Sequence, residues 1–425
     1  MSERDWALIA AVYLPISIAF VGALANKKLH RQFAACLVSF LWALPAVWVL
    51  QRMNEHFDWW SFGGPMPMEL YAGWVVLWGL VPQLCFPRLG LAWCAAIMIA
   101  ADLAGMPLCG AVLTLGPYWL LGEAVGAAIA LVPALCLARW TLEDTHLPWR
   151  AGMQVAISAM LFLFLVPELA FALRPGAGWE PLLNLAKWQR QCAFQLVELL
   201  GLPGVAAVME FAGRGGGTPI PYDPPKRLVR SGIYRYCANP MQLSCGVTML
   251  AWAGLLRNGW LVLGACVSFV YSAGLAEWDE GEDLARRFGE DWQAYRAAVK
   301  SWVPRWRPYV AGPSARLYLA ATCMPCSELR RWLEARGPAG LEILDAETLR
   351  YGSIRRMRYE ADAGYSVDGV RAFGRALEHL HLGWALAGAA LRLPVVWQFV
   401  QLLMDASGLG PRVVGHELPS ESPER

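Results

Sequence analysis

From residue 5 to residue 278 the chain runs in long apolar stretches broken by short polar ones. A helix needs roughly 20 apolar residues to cross a bilayer. Stretches of that character fall at 6–25, 33–51, 71–86, 89–107, 111–138, 152–173, 191–212, 241–256 and 259–277. The third and the last two are short, so the pattern predicts about nine spans. No barrel-type alternation is present, so the backbone groups in lipid must be satisfied within helices. The opening run, followed by Lys27, Lys28 and Arg31, lacks a cleavage site and reads as a first span.

Beyond residue 310 the pattern changes to that of a soluble domain. "ARLYLAAT" (315–322) alternates like a strand, and "CMPCSELRRWLEAR" reads as a helix opening at its second cysteine. "GLEILDAETL" reads as a second strand and "VRAFGRALEHLH" as a further helix. His379 and His381 on that helix, with no ligand array around them, read as surface residues. The expected fold is a polytopic α-helical membrane protein with a C-terminal α/β domain. Its divisions are 1–145, a block of membrane helices; 146–310, a membrane domain with a polar site; and 311–425, the α/β domain with a disordered tail. Two connectors are rich in proline and glycine: "AGRGGGTPIPYDPPKRLVRSG" (212–232) and "VPRWRPYVAGPS" (303–314).

Composition agrees with the pattern: 57% of residues are hydrophobic, 16% are charged, and 22 are tryptophan. A net charge of +2 with no dense basic cluster excludes a nucleic-acid binder. With nine spans, one side of the membrane carries Lys27, Lys28, Arg31, Arg88, Arg139, Arg150, Arg214, Lys226, Arg227, Arg230 and Arg235. The other carries Arg52, Arg174, Lys187, Arg190 and Arg257. The richer side is expected in the cytosol of a bacterial inner membrane, together with the C-terminal domain. Asp102, Glu123, Glu168 and Glu198 lie inside candidate spans, where an ionisable group is costly and is either functional or paired. The Trp59–Trp60 pair, in a loop with Asp58 and Glu69 nearby, reads as an interfacial belt. Nine of the eleven cysteines are scattered singly and read as small hydrophobes.

The densest polar patterning flanks the hairpin 241–256 and 259–277, which turns at "RNGW". Antiparallel geometry brings its two ends together, so residues 226–242 and 276–295 should form one site at the membrane surface. The pieces are "KRLV" (226–229), "GIY" (232–234), "CANPMQ" (237–242), "EGEDL" (280–284), "FGEDWQAY" (288–295) and "VP" (303–304). In order and spacing they resemble the membrane methyltransferase superfamily of isoprenylcysteine carboxyl methyltransferases and phospholipid methyltransferases, over residues 152–304. The resemblance implies S-adenosylmethionine as cofactor. The matching positions are Lys226, Arg227, Leu228, Val229, Tyr234, Asn239, Pro240, Met241, Gln242 and Glu280. Glu280 would accept from the cofactor's ammonium or ribose, and Lys226 or Arg227 would meet its carboxylate. Tyr234 and Tyr236 would stack on the adenine or the sulfonium. Three positions depart from the family: its His-Pro-x-Tyr is Asn239-Pro240-Met241-Gln242, its second acid is Gly281, and its substrate-carboxylate arginine is Ala276. The last departure argues against a free carboxylate substrate.

A strand, a Cys-x-x-Cys and a helix in succession form a redox arrangement. The helix N-terminus stabilises a thiolate, which makes Cys323 the catalytic nucleophile and Cys326 the resolving thiol. Residues 315–412, including "ALRLPVVWQFVQLLMDASGLGPR", resemble the DCC family of thioredoxin-like thiol-disulfide oxidoreductases, although "LAAT" stands where that family has acidic residues. No zinc-ligand array accompanies the cysteines.

Three readings remain open on the sequence. The first is a membrane methyltransferase acting on a lipophilic or small acceptor, fused to a redox domain with its own redox partner; the first five spans would then control acceptor access. The second is a membrane-anchored thiol-disulfide oxidoreductase on a degenerate methyltransferase-like scaffold. The third is a non-catalytic membrane assembly or transport protein.

Overall fold

A computed structural model describes residues 1–26, 30–220, 222–348, 354–361 and 364–411. Lys27, Lys28 and the expected disordered tail from residue 412 lie outside the described residues. The fold is mostly helical, with a small sheet near the C-terminus. It divides into two compact units: Met1–Gly176 with Phe211–Lys226, and Ala177–Glu210 with Arg227–Arg425. Neither 145/146 nor 310/311 is a boundary between them.

The first unit holds α1 (Glu3–Ala25), α2 (Gln32–Phe57), α3 (Met68–Gly79), α4 (Val81–Cys85), α5 (Leu91–Gly105), α6 (Trp119–Gly126), α7 (Val132–Glu143), α8 (Leu147–Met160) and α9 (Val166–Ala172). Strands β1 (Trp60–Ser61) and β2 (Thr114–Leu115) pair antiparallel. A wide turn at Ala127–Leu131 joins α6 to α7 just before Pro133. Proline has no N–H and crowds the carbonyl four residues back. That carbonyl, on Ile129, instead accepts from the Trp42 indole at 2.9 Å. The core of the unit is aromatic. Trp59 and Trp60 are buried in it, and Trp60 leads to Trp74 and then to Trp78 with ring centroids 5.6 and 6.0 Å apart. They are core residues rather than an interfacial belt, because the β1–β2 pairing folds their loop back onto the helices.

The second unit holds α10 (Glu180–Leu183), α11 (Lys187–Glu210), α12 (Pro240–Leu256), α13 (Gly259–Tyr271) and α14 (Glu277–Ala298), followed by the α/β module. The α12–α13 hairpin turns at Arg257, which is left-handed, and at Asn258, whose side chain caps α13 by accepting from Trp260 N. The module runs β3 (Ala315–Leu319), α15 (Met324–Glu334), β4 (Leu341–Asp345), β5 (Arg358–Ala361), β6 (Tyr365–Asp368), α16 (Val370–Leu377), α17 (Leu382–Leu391) and α18 (Val396–Met404). Sheet order is β4-β3-β5-β6; β3 and β4 are parallel, and β5 and β6 continue antiparallel. Leu317, Leu319, Leu333, Tyr359 and Ala376 fill its core.

Among the described residues, six helical stretches are long and apolar enough to cross a membrane: Glu3–Ala25, Gln32–Phe57, Leu91–Cys109, Trp119–Glu143, Leu147–Ala172 and Lys187–Gly215. Three of the nine expected spans differ. Residues 71–86 are split between α3 and α4 at Leu80, and both hairpin helices are shorter than a span. A seventh candidate comes from the tail, where α17 and the stretch Val396–Leu409 are apolar but bent by 85°. The C-terminal module is therefore less uniformly soluble in character than its sequence suggests.

His379 corrects a second expectation. It is fully buried, with Nδ1 2.7 Å from the Ala339 carbonyl and Nε2 3.0 Å from the Tyr359 hydroxyl. Burial pushes it down to about 3, and the charge of Arg235 adds to this. In the unfolded chain it titrates near 6.5, so below that pH the unfolded state binds a proton that the folded state refuses. The stability it contributes is whole above pH 6.5 and is lost as pH falls towards 3. Denaturation of the wild type between about pH 6.5 and 5 should show a loss of about 2 kcal/mol, at about 1.4 kcal/mol per unit. His379→Asn should flatten that slope.

Candidate functional site

The site is built where "GIYRYCANP" meets the end of α14. Gly232 opens the segment with φ +61°, and a Cβ there would lie 2.9 Å from the Glu210 carboxyl carbon, so both backbone and space require glycine. A single tight turn, Gly232–Arg235, follows. Its carbonyls and amides are tied to the chain beyond the hairpin. Tyr295 Oη donates to the Tyr234 carbonyl at 2.8 Å, Ala238 N to Lys300 O at 3.0 Å, and Asn239 N to Ser301 O at 3.2 Å. Cys237 Sγ donates to Ser301 O at 2.9 Å, and Arg230 pairs with Asp291 at 2.8 Å. The two polar flanks of the hairpin are thus one structure.

Within it, Tyr234 and Val229 are buried, Leu228, Met241 and Gln242 are half-buried, and Arg227 and Glu280 are exposed. Burial holds the Tyr234 phenol well above its ordinary range, and the charges of Glu210 and Glu280 add to this. Asn239 begins α12 with its backbone carbonyl, which accepts from Leu243 N at 3.1 Å; its side chain caps nothing in the helix. Pro240 takes the first helical position, where its missing N–H costs nothing. Inside α14, Gly289 breaks the helix with φ +53°. Lys226 departs from the expected set: it closes the first unit, and its ammonium pairs with Asp144 at 2.6 Å.

Residues that the sequence reading passed over hold the segment from behind. Glu210, at the end of α11, accepts from Arg375 at 2.7 Å and from Ser231, and Arg392 lies 3.6 Å away. Glu378 pairs with Arg375 at 3.2 Å and with Arg392. Burial works against the charge on Arg375, but Glu210 and Glu378 more than offset it and raise its pKa well above the ordinary value. Tyr236 Oη donates to the Glu378 carbonyl at 2.9 Å. A lone Glu just before "FAGRGGG" was the available signal; nothing local identified its partner Arg375, 165 residues away.

The cysteine pair stands at the start of α15. Cys323 is the N-cap, and the helix opens at Met324 rather than at Cys326 because Pro325 fits its second position. Both thiols are half-buried and neither is in a disulfide. Ser327 donates to the Cys323 carbonyl through N at 3.0 Å and Oγ at 3.2 Å. Glu347, in the segment after β4, accepts from Ala321 N, which lies 3.0 and 3.1 Å from its two carboxylate oxygens. Slight burial would raise the Glu347 pKa, but the donors at Ala321 and Thr322 outweigh it and lower it. The backbone just before Cys323 is thereby fixed.

Among the described residues no group of three or more potential metal ligands occurs. Comparison with protein-family models, curated proteins and solved structures finds no match to this chain.

Proposed function

We propose that this chain is an integral membrane S-adenosylmethionine-dependent methyltransferase that acts on a lipophilic or small acceptor and carries a thioredoxin-like dithiol module. The observation that supports the reading is the lacing of residues 232–239 to residues 295–301, with Glu280 exposed and the Asn239 side chain left unused by its helix. These groups fit the cofactor's donors and acceptors. Glu280 would accept from its ammonium or ribose hydroxyls, Asn239 and Gln242 would hydrogen-bond its polar edge, and the Tyr234 ring would stack. Arg227 rather than Lys226 would meet its carboxylate, since Asp144 already holds Lys226. When bound, the cofactor supplies an electrophilic methyl group. The protein's part is then to position an acceptor in line and to exclude water, not to provide a strong base. The orientation, with this site and the C-terminal module cytosolic, follows from the charge bias of the loops, and nine crossings would require the short hairpin helices to enter the membrane.

Binding of labelled S-adenosylmethionine to the detergent-solubilised protein tests the reading. Glu280→Ala and Asn239→Ala should each weaken binding by about 1.5–3 kcal/mol, the worth of a hydrogen bond to a charged group. No binding by well-folded wild type would overturn it.

A second reading, a thiol-disulfide oxidoreductase, is favoured by the cysteine pair alone. Cys323 would attack a disulfide of a partner and release one thiol; Cys326 would then displace the second, leaving a Cys323–Cys326 disulfide and a reduced partner. The β3-α15-β4 and β5-β6-α16 arrangement supports it, with parallel and then antiparallel pairing as in thioredoxin-like folds. Alkylation near neutral pH followed by mass mapping should modify Cys323 ahead of the other ten cysteines. Equal labelling of Cys323 and Cys326, or no disulfide after mild oxidation, would mark the module as a docking shell.

A further inference from the structure

The C-terminal module carries one helix with its polarity reversed. In a soluble module an amphipathic helix turns its apolar side inward and its polar side to water. No residue of α18 is buried, and its ties to the module run through polar side chains and one indole. Gln401 Oε1 accepts from Val370 N at 3.0 Å, and Gln401 Nε2 donates at 2.9 Å to Asp405, which pairs with Arg356 at 2.6 Å. The Arg371 guanidinium lies 4.6 Å from the centre of the Trp397 ring. The apolar side faces outward. Val395, Phe399 and Leu402 follow one another at spacings of four and three, with Leu403 beside them, and all four are more than half exposed.

Exposed apolar side chains grouped in this way mark an interaction surface, and the place of α18 in its unit decides the partner. α17 packs against α11. Arg392, which closes α17, lies 3.6 Å from Glu210 at the end of α11 and also pairs with Glu378. α11 belongs to a stretch long and apolar enough to cross a membrane. Its 24 residues extend about 36 Å, more than the roughly 30 Å of a hydrocarbon core, so its ends reach the interface. Val395 comes three residues after Arg392, and three residues of chain cover at most about 11 Å. α18 therefore starts close to the end of a membrane-capable helix. It does not continue as a straight crossing, because α17 and Val396–Leu409 meet at 85°. Pro394 stands at the bend, and Val395 takes a φ of +70°, rare for a β-branched residue. A bent apolar pair with its second helix showing an apolar face outward is the arrangement of a helix lying in the plane of a membrane surface.

We propose that α18 lies in the lipid interface, with Val395, Phe399, Leu402 and Leu403 at the boundary of headgroups and acyl chains and with Gln401 and Asp405 turned to the module. The partner is phospholipid, recognised through burial of apolar surface rather than through a particular headgroup. The second unit then holds the bilayer twice, by α11 through it and by α18 along it, and the dithiol module is kept at the lipid surface instead of swinging free. The proposal rests on the membrane reading of α11. It is independent of methyl transfer and of thiol exchange.

The test uses the full chain in phosphatidylcholine bilayers that contain a phospholipid with a diazirine near the glycerol end of one acyl chain. Two internal references are available: Leu196 and Leu199, exposed on α11, and Met324, exposed on α15. An interfacial helix sinks its apolar face about 5–10 Å into the boundary layer, so mass mapping after illumination should find adducts on residues 395–403 about tenfold or more above Met324. Adducts on Leu196 or Leu199 with none on α18 above Met324 would overturn this proposal alone. Adducts on neither helix would overturn the membrane reading with it. Phe399→Asp together with Leu402→Asp should abolish the α18 adduct and leave that on α11 unchanged, because both side chains are exposed and neither supports the core. An α18 adduct unchanged in that variant would overturn the proposal. Cross-links joining α18 of two copies, in bilayers where the lipid adduct is missing, would assign the face to a second copy of the chain instead.

Discussion

Arg375→Ala should destabilise the second unit by about 3–5 kcal/mol, the cost of stranding a buried charge. Glu210, 1% exposed at its side chain, would keep only the longer contact to Arg392 and its hydrogen bond from Ser231. Removing the pair together separates this from lost packing. Arg375→Met with Glu210→Gln should recover much of the stability, because replacing a buried pair by neutral groups is often nearly free while breaking it is not. Thermal denaturation of the four proteins of this cycle measures the coupling directly. A single variant within about 0.5 kcal/mol of wild type, the usual size of a surface substitution, would show that the pair is dispensable.

A comparable loss is expected from Asp223→Ala in the first unit. Asp223 accepts from Arg31, from Arg150 and, at 2.8 Å, from Thr218. The Arg150 side chain is wholly buried. Asp144 accepts from the same two arginines at 2.6 and 2.9 Å, and also from Lys226. Without Asp223, two arginines and a lysine share one carboxylate, and the expected cost is again about 3–5 kcal/mol. Burial opposes the charge on Asp144, but its three cationic donors outweigh it and depress its pKa far below the usual carboxylate range. Melting temperatures of Asp223→Ala and Asp223→Asn in detergent check this, with the amide expected to lose less because it still accepts.

This cluster also shows how far the sequence could be read. Loop alternation groups Arg31, Arg150 and Lys226 together, and the three meet around common acids. The alternation is local, since each apolar run sets the side of the next loop. Which acids gather those charges is not local: Asp223 is 192 residues from Arg31 and 73 from Arg150. The same division holds at the candidate site. The hairpin, its turn at Arg257 and Asn258, and the meeting of its flanks follow from two apolar runs with polar ends. The role of Glu210 does not, because a carboxylate at the end of an apolar helix looks like a solvated terminus until Arg375 is seen beside it. His379 misled for a related reason. Its helical neighbourhood is amphipathic, but the helix ends at Leu377, and the turn that follows carries the imidazole inward to Tyr359. Span counting erred where length was the only guide: Pro82 follows the break at Leu80, and the hairpin helices stop at 17 and 13 residues.

The ties around "GIYRYCANP" have a direction. Tyr295 reaches the carbonyl of Tyr234, Tyr236 that of Glu378, Cys237 that of Ser301, and Arg235 that of Tyr309. In each case a side chain grips a backbone atom, which every residue type carries. Tolerance to substitution is therefore lopsided. Tyr236 and Tyr295 are bound by their identities, whereas Ser301 and Tyr309 serve these particular bonds through the main chain and could be exchanged without breaking them. Variation in related chains would be expected to spare the gripping residues more than Ser301 and Tyr309, so the recognisable motif is shorter than the structure that it holds.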